Sequence, residues 1–419
     1  MKVERGTGNG EGGERNAEGG ARNAEWVTVK LGDVVDINPR RNSFGFTDDE
    51  TVGFVPMSSV CEQKKAIVDQ QVRPFGEVKK GYTPMQNGDV IIAKITPCFE
   101  NGKVARVELP TSTAFGSTEF HVFRNRGTVD SDLVFHLLRS EQILRKGREQ
   151  MKGAAGQKRV PADFFRAFEF RVPRSLPEQQ RIARILDRAD LLRQSRRAAL
   201  AQLDAFLQAT FLDMFGDPVT NPKGWEVVKS AKLFSEKPRI GTTRPAGGSG
   251  FPVVRVGEVG DSQIRFEDCG RVELSETEFT RFNLKLGDTV IARAIGSANQ
   301  LGKASYFAGH PEPVVFDSHV MRLRPSQSIC HPKWLFSLIS SQHGKRLIQM
   351  KGGATAVQFN INTKQASDLD IPIPPLDLQR RFAAIVESVE AQKARMQAHL
   401  ADLDLLFASL QDRAFKGEL

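Results

Sequence analysis

Catalytic signatures are missing from this sequence. It has no Walker A loop, no dinucleotide-binding glycine fingerprint, no His-Glu-x-x-His and no Gly-x-Ser-x-Gly, so those chemistries have no anchor. Asn-Pro occurs at Asn38-Pro39 and Asn221-Pro222, but neither is followed by the Pro-aromatic pair of an adenine methyltransferase. The seven histidines show no ligand spacing, and carboxylate-x-Lys triplets such as Glu77-Val78-Lys79 lack a positioned acidic partner. Enzyme activity is therefore not expected of this chain. Cysteine is scarce as well. Cys61, Cys98, Cys269 and Cys330 stand alone, without a C-x-x-C pair, and read as reduced thiols of a cytoplasmic protein, with no zinc site and no disulfide. No apolar run approaches the roughly 18 residues of a membrane span, and there is no secretory start, so no membrane-spanning segment is expected.

Positive charge is what the chain does have. A formal charge of +9 and a pI near 9.4 favour a polyanionic partner, nucleic acid first and an anionic membrane surface second. With 419 residues there is enough chain for two or three domains, each with a core. Residues 1–24 are rich in Gly, Glu, Arg and Asn and repeat Gly-Gly-x-Arg-Asn-Ala-Glu; with so little to bury, they are expected to be a disordered extension.

The rest of the chain is written twice. Leu176-Pro177-Glu178-Gln179-Gln180-Arg181-Ile182 opens a stretch without helix breakers that runs to Phe215, and Leu376-Asp377-Leu378-Gln379-Arg380-Arg381-Phe382 opens its copy, 200 positions on (382 − 182). Apolar residues recur at steps of three and four, through Ile182, Ile185, Ala189, Leu203 and Phe206 in the first copy. Phe382, Ile385, Val389, Leu403 and Leu406 fill the second. This is a coiled-coil seam, and the spacing predicts two long helices, over 176–215 and 375–419, that pair with each other. Packing into a helical bundle is the competing reading, and the seam alone leaves the direction of pairing open. Upstream of each helix the parallel continues. Gly88-Asp89-Val90-Ile91-Ile92-Ala93-Lys94 returns as Gly287-Asp288-Thr289-Val290-Ile291-Ala292-Arg293, and Gln150-Met151-Lys152-Gly153 as Gln349-Met350-Lys351-Gly352.

Each repeat is thus a globular domain, 25–175 or 225–374, followed by its helix, with the turn-rich 216–224 as linker. Short β-branched runs such as Val90–Ile95 and Thr289–Ile295 mark strands, and Leu133–Gln150 and Pro332–Met350 carry helical patterns. The expected class is α+β, two tandem domains and two long helices in an internal repeat.

The loops before each helix hold the residues suited to contact nucleic acid. Lys152, Gln157, Lys158 and Arg159 join phosphate-neutralising charge to a Gly-rich backbone, and Gln and Arg also suit the edges of adenine and guanine. The second copy offers Lys351, Thr355, Gln358 and Asn360 in the same frame. A shared frame with different tips suits two domains that grip one backbone and read different bases. A second candidate is the strand end at Lys94 and Thr96, echoed by Arg293, Ser297 and Asn299. Solvated turns with incidental charge compete with contact at all of these positions. Arg193, Arg196 and Arg197 read as a solvated helix face.

At this point the sequence resembles the specificity subunit of a type I restriction–modification system. The resemblance rests on Leu176-Pro177-Glu178-Gln179-Gln180 heading a long helix, on Phe215-Gly216-Asp217-Pro218 with Asn221-Pro222-Lys223-Gly224-Trp225, on Pro374-Pro375-Leu376-Asp377-Leu378-Gln379, and on the duplication; it covers about residues 25–419. The second helix departs from the pattern, with Leu378-Gln379 in place of Glu-Gln. What the resemblance implies is two target-recognition domains separated by two helices in an antiparallel coiled coil with pseudo-twofold symmetry. It implies a non-catalytic chain that binds double-stranded DNA and two methyltransferase (modification) subunits, and it admits two restriction subunits. S-adenosylmethionine, Mg2+ and ATP would then be bound by those partners, with no cofactor in this chain. A coiled-coil scaffold whose basic domains bind nucleic acid without sequence preference is the rival reading.

Overall fold

The computed structural model describes residues 25–39, 45–154, 156–260, 262–295, 303–351, 353–354 and 359–419. The extension expected at 1–24 lies outside them. The chain divides into two compact units, residues 1–197 with 399–419, and residues 198–398. Each contains strands, short helices and parts of both long helices.

In the first unit, Val35–Ile37, Phe120–Asn125, Val90–Ala93 and Val104–Arg106 form an antiparallel sheet in that order. A second sheet orders Gln71–Pro74, Thr51–Val55, Thr113–Gly116 and Thr83–Gln86, with one parallel pair between Thr51–Val55 and Thr113–Gly116. Every residue of Val90–Ala93 is buried, as a β-branched run covered on both faces should be. In the second unit, Phe234–Ile240, Val320–Pro325, Thr289–Ala292 and Ala304–Tyr306 build the corresponding antiparallel sheet. Gly270–Val272, Phe251–Val254 and Val315–Phe316 build the smaller one.

Two expected single helices are each broken in two. Leu133–Gln150 is Ser131–Leu138 followed by Glu141–Glu149, and Pro332–Met350 is Pro332–Ser340 followed by Gln342–Lys351. Serine makes the break. The Ser140 hydroxyl accepts the Ile143 N–H at 3.4 Å and Ser341 accepts that of Gly344 at 2.9 Å, so each starts a new helix by capping it.

The long helices span Leu176–Phe215 and Leu376–Lys416. In the first unit Ile182, Ala183, Leu186 and Ala189 share one core with Phe407, Ala414 and Phe415; in the second, Phe211 and Phe215 share one with Phe382 and Val386. Val389 is buried too, and Ile185, Leu203, Ile385 and Leu403 are half-buried. Phe206 and Leu406 correct the expected seam: they stand 51% and 49% exposed, while the next residues, Leu207 and Phe407, turn inward. A strict seven-residue pattern drifts by about 20° per heptad on a straight helix, so three heptads on the inward position moves to the following residue. The expected solvated face at Arg193 is also corrected. Arg193 packs 4.3 Å from the Phe407 ring centre and pairs with Asp190 at 3.0 Å and Asp404 at 2.6 Å, and Arg197 reaches Asp404 at 2.8 Å. In the second unit Lys393 pairs with Asp204 in the corresponding way.

The glutamines that head the helices tie them to their domains. Buried Gln179 accepts the Asp130 N–H at 2.7 Å and donates to the Pro173 carbonyl at 2.7 Å; buried Gln379 accepts the His331 N–H at 2.8 Å and donates to Pro374 at 2.9 Å. The glutamine shared by both copies is thus the structural one, and the Glu-Gln departure spares it. Gln179→Ala would leave buried donors and acceptors unmatched, at a cost of about 2–3 kcal/mol. The exposed neighbour Gln180→Ala should change stability by less than about 0.5 kcal/mol. Urea unfolding of the two variants checks the contrast, and equal costs would contradict it.

Candidate nucleic-acid interface

Two loops far apart in the first unit's sequence form one structure. The Val90–Ala93 strand continues through Lys94–Thr96, and the stretch after Glu141–Glu149 folds back on itself beside it, with Arg159 bridged to both Ile95 and Lys152. The ladder is closed by Thr96 N–H to the Lys158 carbonyl at 3.0 Å, Val160 N–H to Lys94 at 2.9 Å, and Lys152 and Arg159 exchanging bonds of 2.9 and 2.8 Å. Glycine is required at the bend. Gly153 has φ +133°, and a Cβ there would lie 2.7 Å from the Gln157 carbonyl oxygen.

This geometry sorts the candidate residues into supports and tips. The Thr96 hydroxyl donates to the Gly156 carbonyl at 3.1 Å and accepts the Lys158 N–H at 3.2 Å, so it braces the turn. Arg159 is also a support: its guanidinium grips Glu119 with bonds of 2.8 and 3.0 Å and donates to the Gln157 carbonyl at 3.0 Å. That grip holds the Glu119 carboxyl below the usual carboxylate range. Beneath the hairpin, buried His121 donates from Nε2 to the Val160 carbonyl and accepts from Asn38, which fixes a neutral ring; burial pushes its pKa down to about 4. Lys152, Gln157 and Lys158 project into solvent from this frame, and Lys94 is half-buried beside them.

The second unit builds the same three-stranded element from Ala294–Ile295, Phe359–Asn360 and Gly353–Ala354. Here Arg293 is turned inward, donating to the carbonyls of Ser318 at 2.8 Å and Ile361 at 3.3 Å and to the Asn360 side chain at 3.0 Å. Lys351 pairs with Asp368 at 3.0 Å, and Lys229 and Lys351 hold that carboxyl below its ordinary range. Arg293, Asn360 and Lys351 are therefore supports. Ser297, Asn299, Thr355 and Gln358 lie outside the described residues. Sequence reasoning missed Glu119, although a signal was present. Arg159 and Glu119 correspond to Phe359 and His319, so both members of the pair change together between the copies.

The family model described as "Type I restriction modification DNA specificity domain" matches residues 23–203 and again 222–403. The chain belongs to that family. It is 37% identical over 188 residues to the Escherichia coli type I restriction enzyme EcoEI specificity subunit; that match takes in 44% of this chain and 31% of the relative, so the chain spans about a third of that protein's length. Similarity to the Salmonella potsdam type I restriction enzyme StySPI specificity subunit is lower, 23%, but covers 94% of this chain and 89% of the relative. The fold is shared with a chain from a solved type I R-M system assembly, at 20% identity, a TM-score of 0.57, and coverage of 94% and 98% of the two chains. A type I S subunit from M. genitalium also shares it, at 13% identity, a TM-score of 0.52, and coverage of 94% and 96%. Members of the family are in general non-catalytic. Among the described residues no cluster of His, Cys, Asp or Glu could hold a metal ion, and no helix is long and apolar enough to cross a membrane.

Proposed function

We propose that this chain is the DNA-specificity subunit of a type I restriction–modification complex, with each globular domain, 25–175 and 225–374, reading one half of a bipartite, asymmetric site. The observation that carries this is one hairpin frame built twice with different chemistry at corresponding positions, Lys158-Arg159 in one copy and Gln358-Phe359 in the other. Lys94, Lys152 and Lys158 would neutralise phosphates while Gln157 meets a base edge, with Arg159, Glu119 and Thr96 keeping the tip in shape. Double-stranded DNA is the ligand. Two modification subunits supply S-adenosylmethionine-dependent methylation, and two restriction subunits, where present, supply ATP- and Mg2+-dependent cleavage.

The two long helices act as an antiparallel coiled-coil spacer, relating the domains by a pseudo-twofold axis. The pairs Asp204 with Lys393 and Phe215 with Phe382 support this, because rising numbers on one helix meet falling numbers on the other. Exchanging residues 25–175 with those of a relative and mapping methylated adenines in cells tests the reading. One half of the methylated motif should change and the other stay. A change in both halves, or in neither, contradicts it.

A further inference from the structure

In the first unit Arg139 fills a socket. Its side chain is 6% exposed, it reaches Asp190 at 2.8 Å, and its guanidinium carbon lies 4.7 Å from the Phe135 ring centre and 5.5 Å from that of Phe407. A carboxylate and two aromatic rings thus hold one guanidinium. This is the pairing such a group prefers, since its N–H fork matches a carboxylate and its flat face stacks on a ring.

The second unit repeats the socket without the arginine. The N–H groups of Asp130 and His331, each held by its helix-heading glutamine, fix the correspondence. Counting from them, Phe135, His136 and Arg139 become Phe336, Ser337 and Ser340. On the long helices Asp190, Arg193, Asp404 and Phe407 become Glu390, Lys393, Asp204 and Leu207. One ring and a carboxylate are kept and the Arg193–Asp404 pair returns as Lys393–Asp204, while Arg139, His136 and Phe407 shrink to serine, serine and leucine. A cavity of about 620 Å³ results, lined by Phe336, Ser337, Ser340, Leu207 and Glu390 among others.

The charge of the cavity selects its occupant. Lys393 is neutralised by Asp204, and Glu390 pairs with Lys333 yet keeps 38% of its side chain exposed. An anion would meet that carboxylate, and an apolar group would cover the Ser337 hydroxyl and that of Ser340, which is held by a long 3.4 Å bond to the Ser337 carbonyl. We propose that the cavity of the second unit is a receptor for a guanidinium group supplied from outside this chain, either an arginine side chain of a bound protein or a free guanidine compound.

The test uses the full-length chain with N-acetyl-arginine amide and, as the uncharged isostere, N-acetyl-citrulline amide. The arginine probe should bind with a Kd of roughly 1 mM and at ten times that concentration raise Tm by about 3 °C, with citrulline at least tenfold weaker. Ser340→Arg, which supplies the group from within, should raise Tm by itself and abolish the response to the probe. Glu390→Gln should weaken the probe at least tenfold, and it decides the matter should Ser340→Arg fail to fold. An absent response in the native chain, equal responses to arginine and citrulline, or an undiminished response in both variants would overturn the proposal. If Ser340→Arg also weakens association with a modification subunit by tenfold or more, the guanidinium comes from that protein; unchanged association assigns the cavity to a free compound.

Discussion

Asp288→Ala is expected to destabilise the second unit by about 3–5 kcal/mol, the cost of removing one partner from a buried ion pair. The Asp288 side chain is 1% exposed and that of Arg324 9%, and they are joined by two bonds of 2.8 and 2.7 Å. Asp288 also accepts the Lys285 N–H at 2.7 Å, which closes the turn before the buried strand Thr289–Ala292. Its loss would leave Arg324 and the neighbouring buried Arg322 sharing the single carboxylate of Glu236. Burial, and then the charge of Arg324, already pull the Arg322 pKa down to about 10, so this pair of cations has little tolerance for losing an anion. Asp89→Ala in the first unit removes the corresponding pair but should cost less, because its Arg124 is 25% exposed and water can take over. Of the three tryptophans, Trp225 and Trp334 lie in the second unit and Trp26 in the first, so urea unfolding followed by tryptophan emission in a Trp26→Phe background reports on the second unit. The midpoint for Asp288→Ala should fall by more than about 1 M. Asp288→Ala combined with Arg324→Met should recover part of the loss, and a fall equivalent to less than about 1 kcal/mol for the single variant would contradict the argument.

The division into repeats and the two long helices could be read from the sequence because both depend on local pattern: a sustained apolar period, and turn residues at the ends. What could not be read is what depends on distance. Arg193 looks like a solvated charge until Asp404, more than two hundred positions away, arrives beside it. Ser140 and Ser341 sit within an unbroken helical period, and only their bonds to the N–H groups three residues on reveal a cap. At the candidate interface, sequence reasoning found both loops of the first unit but not their union, since a ladder between residues 94–96 and 158–160 leaves no periodic trace. It also offered Arg159 as a base reader and Arg293 as a candidate contact, judging by residue type alone. Their partners, Glu119 for one and the Ser318 carbonyl for the other, make them supports.

Lengthening both long helices by four residues, inserted after Arg197 and after Ala398, is expected to widen the spacer of the recognised DNA site by about two base pairs while leaving both half-sites unchanged. Four residues add roughly 6 Å to a helix, close to two steps of a DNA strand, and turn it by about 400°, so each face returns to within about 40° of its place. Both insertions are needed because contacts on either side of the insertion points set the register. Arg193 and Arg197 hold Asp404 in the first unit, and Asp204 holds Lys393 in the second. A matched pair of insertions keeps both sets intact. An insertion in the first helix alone would have to bulge out, or draw Asp404 and Lys393 out of register with their partners, and should reduce methylation at any spacing. Mapping methylated adenines in cells carrying each variant separates the outcomes. Methylation at the original spacing in the doubly lengthened protein would show that the helices do not measure the site.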